Sequence, residues 1–466
     1  MILRNETQRR IWQLAWPAII ANVSQTLLNL VDTLMVGHVS ALAIAAVGLG
    51  GQVSWFMFPI MMSVSVGTLA LVARAVGARE FQRAELVLEQ SLYLSFLLGI
   101  PVLLFGWFFG DNVLRIMGAK GELLSLAYAY LKVVFLFYPV RFVVFTINSA
   151  LRGAGDTKTP MKVGILMNVL NALFDYLLIY GKLGFPRLGA VGAAWASGIG
   201  INSAFVVLMA LLLSNRLILK FEPSWRFDTE IVGKIVRIGI PALIERGLFS
   251  FYNFLYMSIV TRFGDVALAA HQIGLRIESI AYMPAFGFNV ATSALVGQNL
   301  GAKKPEEAEK TVYEAMKMAG LFMGVMGAVL ILFPRYLVMP FLNPNDPNYA
   351  EVLRLARIYL IIVGISEVPL AWVFVLSGAL RGAGDTKSPM YVTAISKLLF
   401  RIIPAYFLGF GFSIPSFHVL GFTFPGFAFE GLGVIAAWIA MSLETFTSAA
   451  MYWWIFKRGK WKHVKV

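Results

Sequence analysis

The sequence predicts an all-α integral membrane protein with twelve transmembrane helices in two pseudo-twofold six-helix bundles. Three observations predict it. Apolar runs of about 20 residues, long enough to cross a bilayer, recur along the chain. Lys and Arg crowd every second loop. The first half of the chain is also written again in the second. Composition agrees: of 466 residues, 59% are hydrophobic and 14% are charged, against about a quarter charged in soluble domains. The mean hydropathy is +0.75.

The twelve spans are expected over 11–36, 44–74, 86–109, 122–149, 161–181, 190–214, 231–262, 268–298, 310–334, 350–379, 389–411 and 431–457. Arg9 and Arg10 precede the first, and its Trp16-Pro17-Ala18 lies near one end. The second carries Ile44-Ala45-Ala46 and leads into Arg74 and Arg79. Ser91–Phe109 supplies an unbroken apolar run for the third. The fourth and tenth run into LRGAGDT at Leu151 and Leu380, and Pro160 and Pro389 open the fifth and eleventh, because proline fits the first turn of a helix. The sixth precedes Arg216 and Lys220. Spans seven to nine repeat one to three, with Ala319–Phe333 in the ninth, and the twelfth ends at Lys457.

Charge placement sets orientation. The net charge is +14, but Lys and Arg fall before the first span, after the last and in alternate loops. Gly37–Leu42 and Ser413–Gly431 carry none. This asymmetry predicts a multi-pass membrane protein with both termini cytoplasmic and argues against a nucleic-acid partner; the lack of cysteine and the compact chain fit an inner membrane. The first residues lack a signal peptide's compact apolar core, so no cleaved presequence is expected. With no cysteine, thiol chemistry and cysteine-ligated metal are excluded. No histidine pair has metal spacing, and no glycine-rich stretch ends in the Lys-Ser/Thr of a nucleotide loop. Uphill movement would have to draw on an ion gradient.

The repeat is specific. LRGAGDTKTPM at Leu151–Met161 returns as LRGAGDTKSPM at Leu380–Met390, 229 positions on. Pro17 and Pro241, Ala45 and Ala269, and Gly77 and Gly301 stand 224 apart. The repeated units have the same orientation, which places a pseudo-twofold axis along the membrane normal. The expected organisation is an N-lobe over 1–215, a cytoplasmic linker over 216–230 and a C-lobe over 231–466. The repeated hinge is expected to cap and pack, with its Arg, Asp and Lys as loop charges.

Carboxylates at membrane depth are functional candidates by default. Asp32 follows Asn22, Gln25 and Asn29 at spacings that put all four on one helical face. Asp175 follows Asn168 and Asn171 on one face of the fifth span. These stripes should face each other or a watered cavity. Asp32, Asn171 and Asp175 supply the hard oxygens that a sodium ion needs. The same two aspartates could share one charge and trade a proton instead.

The second half breaks the symmetry: Tyr256 stands where Asp32 does, and Pro404 where Asp175 does. Lys397 and Arg401 need buried partners, and Glu245, Glu278 and Glu367 are the anions expected to supply them. Met57, Met61, Tyr252, Tyr282 and Met283 are candidates for an adaptable drug-binding surface.

The twin LRGAGDT hinges, the paired Trp16-Pro17-Ala18 and Ile240-Pro241-Ala242, and LVGQNLGAKKPEEAEK at Leu295–Lys310 resemble the MATE family of multidrug and toxic-compound extrusion transporters. The resemblance covers nearly the whole chain. It implies a V-shaped antiporter that expels organic cations in exchange for sodium ions or protons, with no cofactor and with the monomer sufficient for transport in a lipid bilayer. It also implies a coupling site like that of the DinF-like branch: Asp32, Asn171 and Asp175, completed by the Ala193 carbonyl and the Ser197 hydroxyl. The alternatives are a flippase for a lipid-linked saccharide and, remotely, an intramembrane enzyme.

Overall fold

The computed structural model describes residues 5–464 except 215, 225, 415–416, 420–421 and 425–426. Its helices are α1 (Glu6–Gly37), α2 (Ala41–Gly77), α3 (Phe81–Ile116), α4 (Gly121–Leu136), α5 (Tyr138–Gly153), α6 (Lys158–Tyr180), α7 (Ala190–Leu213), α8 (Thr229–Thr261), α9 (Asp265–Gly301), α10 (Pro305–Leu332), the short α11 (Pro334–Val338), α12 (Tyr349–Gly382), α13 (Lys387–Ser396), α14 (Ile403–Phe410) and α15 (Val434–Lys457). Most helices begin before the expected spans, and α1, α2 and α8 do so from polar N-terminal caps. Asn5 caps α1, Ser40 caps α2 and Asp228 caps α8, each accepting from backbone N–H groups of the first turn.

Among the described residues, ten helical spans are long and apolar enough to cross a bilayer, with α13 and α14 counted as one. The expected span 122–149 is α4 and α5, bent by 48° where Pro139 enters. The expected span 231–262 is the 33-residue α8. It falls outside the ten because Lys234, Arg237, Glu245 and Arg246 reduce its apolar character. The expected eleventh span is interrupted by a π-helical turn, Lys397–Ile402, between α13 and α14. A second departure is a β-ribbon in the loop before α15. Gly411–Ile414 (β1) pairs antiparallel with Phe427–Glu430 (β4), and Phe417–Val419 (β2) with Phe422–Phe424 (β3).

Helices α2–α7 pack around one pair of cores and α9–α15 around another. The starts of α1 and α8 cross over. Ile11, Leu14 and Ala15 are buried among Phe288, Ala291 and Leu376 of the second half. Their counterparts Ile235 and Ile238 are buried among Val64, Leu71 and Leu208 of the first. Each lobe's first helix thus begins inside the other lobe. The cause is apolar burial on the inner turns of both helices.

Close approaches between the halves gather at the end that carries the two hinges. A Cβ on Gly77 would run into the Gln298 backbone, and one on Gly301 into the Arg74 backbone. Gly67 lies against Ile235, and Gly239 against Ser63. Small residues let these helices cross at backbone contact. Toward the other end, α1 leaves Leu27, Leu30 and Leu34 exposed.

The hinges do cap. Asp156 Oδ1 accepts from the Thr159 N–H at 2.9 Å, and Asp385 Oδ1 from the Ser388 N–H at 3.1 Å. Gly155 and Gly384 hold φ of 91° and 87°, a region that favours glycine. The expectation that hinge arginines are loop charges fails for Arg381, whose Nη2 reaches the buried Glu245 Oε1 at 2.5 Å.

Candidate functional site

Glycines set the geometry of the first site. A Cβ on Gly192 would meet the Leu178 backbone, and one on Gly200 the Met167 carbonyl and Asn171 Cβ. Helix α7 therefore lies directly on α6 and brings Ser197 to Asn171, whose Nδ2 donates to the Ser197 Oγ at 3.3 Å. One turn further on, Asp175 is fully buried. Helix α1 packs on the same face of α6, fastened where the Tyr180 hydroxyl donates to the Met35 carbonyl at 2.9 Å. This places Asp32 within hydrogen-bonding reach of Asp175.

The two stripes come together only at Asp32 and Asp175, and Asn168 of α6 meets α1 at Ser24, outside the expected stripe. Asn168 Nδ2 donates to the Ser24 Oγ at 2.9 Å, between α6 and α1. Gln25 and Asn29 behave otherwise: both are exposed, and Gln25 Nε2 donates to Asn29 Oδ1 at 3.2 Å. Ala193 is buried in the first turn of α7 beside Val36 and Ile179. Tyr130, on α4, joins the same cluster and stands in the electrostatic field of both aspartates. Spacing within one helix could not reveal it.

Acceptors dominate this site. Asp32 Oδ1, both Asp175 carboxylate oxygens, Asn171 Oδ1 and Asn168 Oδ1 are buried without a donor among the described residues. A buried acceptor left unmet costs about 1–3 kcal/mol, and more when charged. Such a constellation fits a hard cation, which binds oxygen, or a proton shared by the two carboxylates. Asp32, Asn171 and Asp175 could hold sodium directly.

The second lobe corrects the expected pairing. The partner of Lys397 and Arg401 is Glu444 on α15. Arg401 Nη2 lies 2.5 Å and Lys397 Nζ 3.8 Å from its Oε2. Ser448 and Ser396 hydroxyls donate to its other oxygen at 2.7 and 3.2 Å. Of the three anions expected, Glu245 takes Arg381 instead. Glu278 accepts from the Tyr359 hydroxyl at 2.5 Å. Glu367 is fully buried, and neither carboxylate oxygen has a partner among the described residues. Tyr256, the counterpart of Asp32, gives its hydroxyl to the Ala437 carbonyl at 2.9 Å.

The candidate drug surface divides. Met61 is buried in the first-lobe core, with Met57 packed against it, and Tyr252 is buried. Tyr282 is the one of the five that lines a cavity of about 410 Å³ in the second lobe. Met283 is half-buried beside it in sequence.

Comparison with known proteins agrees with the repeat. The MatE family model matches twice, over residues 17–177 and 241–407. The chain is 32% identical to the "Probable multidrug resistance protein NorM" of Thermotoga maritima, over 98% of this chain and 94% of that one. It is 28% identical to the "Multidrug resistance protein PmpM" of Pseudomonas aeruginosa, over 86% and 84%. A solved outward-facing multidrug resistance MATE family transporter of the MOP superfamily superposes with a TM-score of 0.86 at 24% identity, covering 99% and 98% of the two chains. With a doubled model match and a relative that spans nearly its whole length, this chain belongs to the MatE family.

Proposed function

We propose that the chain is a secondary antiporter that exports organic cations or drugs in exchange for sodium ions or protons. The observation that carries this is the Asp32–Asp175 pair, in which Asp32 Oδ1 and both Asp175 oxygens are buried with no donor among the described residues. Ion binding there neutralises charge that is costly at membrane depth. Its loss favours a different arrangement of α1 against α6, and alternating access follows from lobe geometry. The relatives named for multidrug resistance support the export reading.

In this reading residues 1–215 and 231–466 form the two lobes. Residues 216–230 link them on the cytoplasmic side, with both termini in the cytoplasm of an inner membrane. The linker is held to α3, where Gln90 Nε2 donates to the Arg226 carbonyl and Gln90 Oε1 accepts from the Asp228 N–H. The hinge end is then closed toward the cytoplasm.

The test is flux of a fluorescent organic cation in proteoliposomes under separate sodium and pH gradients, with Asp32→Asn and Asp175→Asn beside the wild type. Sodium-driven flux lost in both variants supports a sodium site, and proton-driven flux lost in both keeps the site and changes the ion. Flux that survives both substitutions removes coupling from this pair.

A further inference from the structure

The second-lobe cavity has a charge pattern that cation export does not use. It lies between α8, α9, α12, α15 and the π-helical turn. Its charged lining is four cations, Arg246, Arg381, Lys397 and Arg401, against three carboxylates, Glu245, Glu278 and Glu444. Arg381 is matched by Glu245, and Arg401 by Glu444. Lys397 has only the more distant share of Glu444, at 3.8 Å. Arg246 has no hydrogen bond or ion pair among the described residues; it feels Glu245 and Arg381 only through space, and its Cζ lies 6.0 Å from the Phe249 ring. Lys397 Nζ stands over the same ring at 4.6 Å. Two under-neutralised cations thus flank one aromatic face.

Beyond them the wall is apolar and aromatic. Phe286 and Phe374 meet edge to face at 4.8 Å, and Tyr282 lies 5.9 Å from Phe286. A cation entering this space would meet a net positive lining. An anion would meet under-neutralised donors, and a charge-assisted contact is about twice as strong as a neutral one. The π-helical turn fits such a role, because these turns gather at functional sites.

We propose that this cavity binds a small amphiphilic anion. Its carboxylate or phosphate head lies against Arg246 and Lys397, and its apolar body against Phe249, Tyr282, Phe286 and Phe374. The site stands whether or not Asp32 and Asp175 couple an ion, since it shares no residue with them. The head could belong to a free amphiphile or to a lipid.

The experiment is calorimetry on protein in phosphatidylcholine nanodiscs with three probes of one shape: 1-naphthoate, 1-naphthamide and 1-naphthylmethylammonium. The expected result is naphthoate binding at least about ten-fold tighter than the other two. Arg246→Gln should remove that preference without weakening the amide, and Arg246→Lys should restore most of it. Equal binding of the three probes by the wild type, or tighter binding of the ammonium, overturns the proposal without any variant. So does an anion preference that Arg246→Gln leaves intact in folded protein. Adding phosphatidylglycerol separates the sources. Competition with naphthoate in the wild type but not in Arg246→Gln assigns a lipid head, and naphthoate affinity unchanged by the lipid assigns a free amphiphile.

Discussion

Arg74 and Gln298 stand at equivalent positions of the two halves, and each reaches across to the other half's hinge. Arg74 Nη2 donates to the Ala383 carbonyl at 2.9 Å, and Gln298 Nε2 to the Gly153 carbonyl at 2.9 Å. Arg74 also takes the Val464 carbonyl at 3.0 Å, which ties the tail to the same closure. A charged donor is worth about 1.5–3 kcal/mol and a neutral one about 1. Removing both should therefore shift an open–closed ratio by about ten-fold or more. The chain has no cysteine, so spin labels can be placed at exposed Lys158 and Lys387 alone. Electron–electron distance measurements should give one narrow distribution in the parent. Arg74→Ala with Gln298→Ala should add a longer component, and an unchanged distribution would sink the clasp.

The glycine crossings beneath this clasp admit no methyl. Gly77→Ala would push the Gln298 backbone, and Gly301→Ala the Arg74 backbone. Overpacking of this kind costs about 1–3 kcal/mol. Either variant should melt several degrees lower, with similar losses because the contacts are equivalent. Melting equal to the parent in both would mean that the helices separate without cost.

Sodium binding at the first-lobe pair should appear as stability. A ligand at about a hundred times its dissociation constant adds about 2.7 kcal/mol. Melting in sodium against an equal concentration of choline should separate for the parent and coincide for Asp175→Asn. Coincident curves in the parent would leave protons as the only coupling ion.

Breaking the second-lobe ion cluster at its anion should be severe. Glu444→Gln leaves Lys397 and Arg401 buried against one neutral amide, a loss of about 3–5 kcal/mol. Glu278→Gln keeps an amide oxygen that can accept from the Tyr359 hydroxyl and should cost far less. Thermal melts of the two variants rank them, and the reverse order would contradict the pairing.

Much of this was legible in the sequence because the chain is written twice. Spacing of 224 positions foretold that Gly77 and Gly301 would do equivalent work, and one-face spacing foretold that Asp32 and Asp175 would meet. Partners across helices were not legible. Nothing within the eleventh span says that Lys397 faces α15 and its Glu444 rather than Glu245, Glu278 or Glu367. The composition of the hinge marks Arg381 as a loop charge, and only the packing of α8 against it brings Glu245 to its guanidinium. The β-ribbon lay in a stretch whose phenylalanines and glycines carry no clean alternation. Met57 and Met61 were drawn toward the substrate by residue type, while packing placed them in the core.

The crossed starts of α1 and α8 carry a consequence for ancestry. Each half holds both parts of the contact: a leading helix to lend, with a core to receive one, and a donor at position 74 or 298 with a hinge carbonyl to meet it. Two copies of one such half would satisfy each other without the linker, as an isologous dimer with exchanged arms. Joined in one chain, the copies need not stay alike. One could retain its aspartates while the other filled the same places with Tyr256 and Pro404.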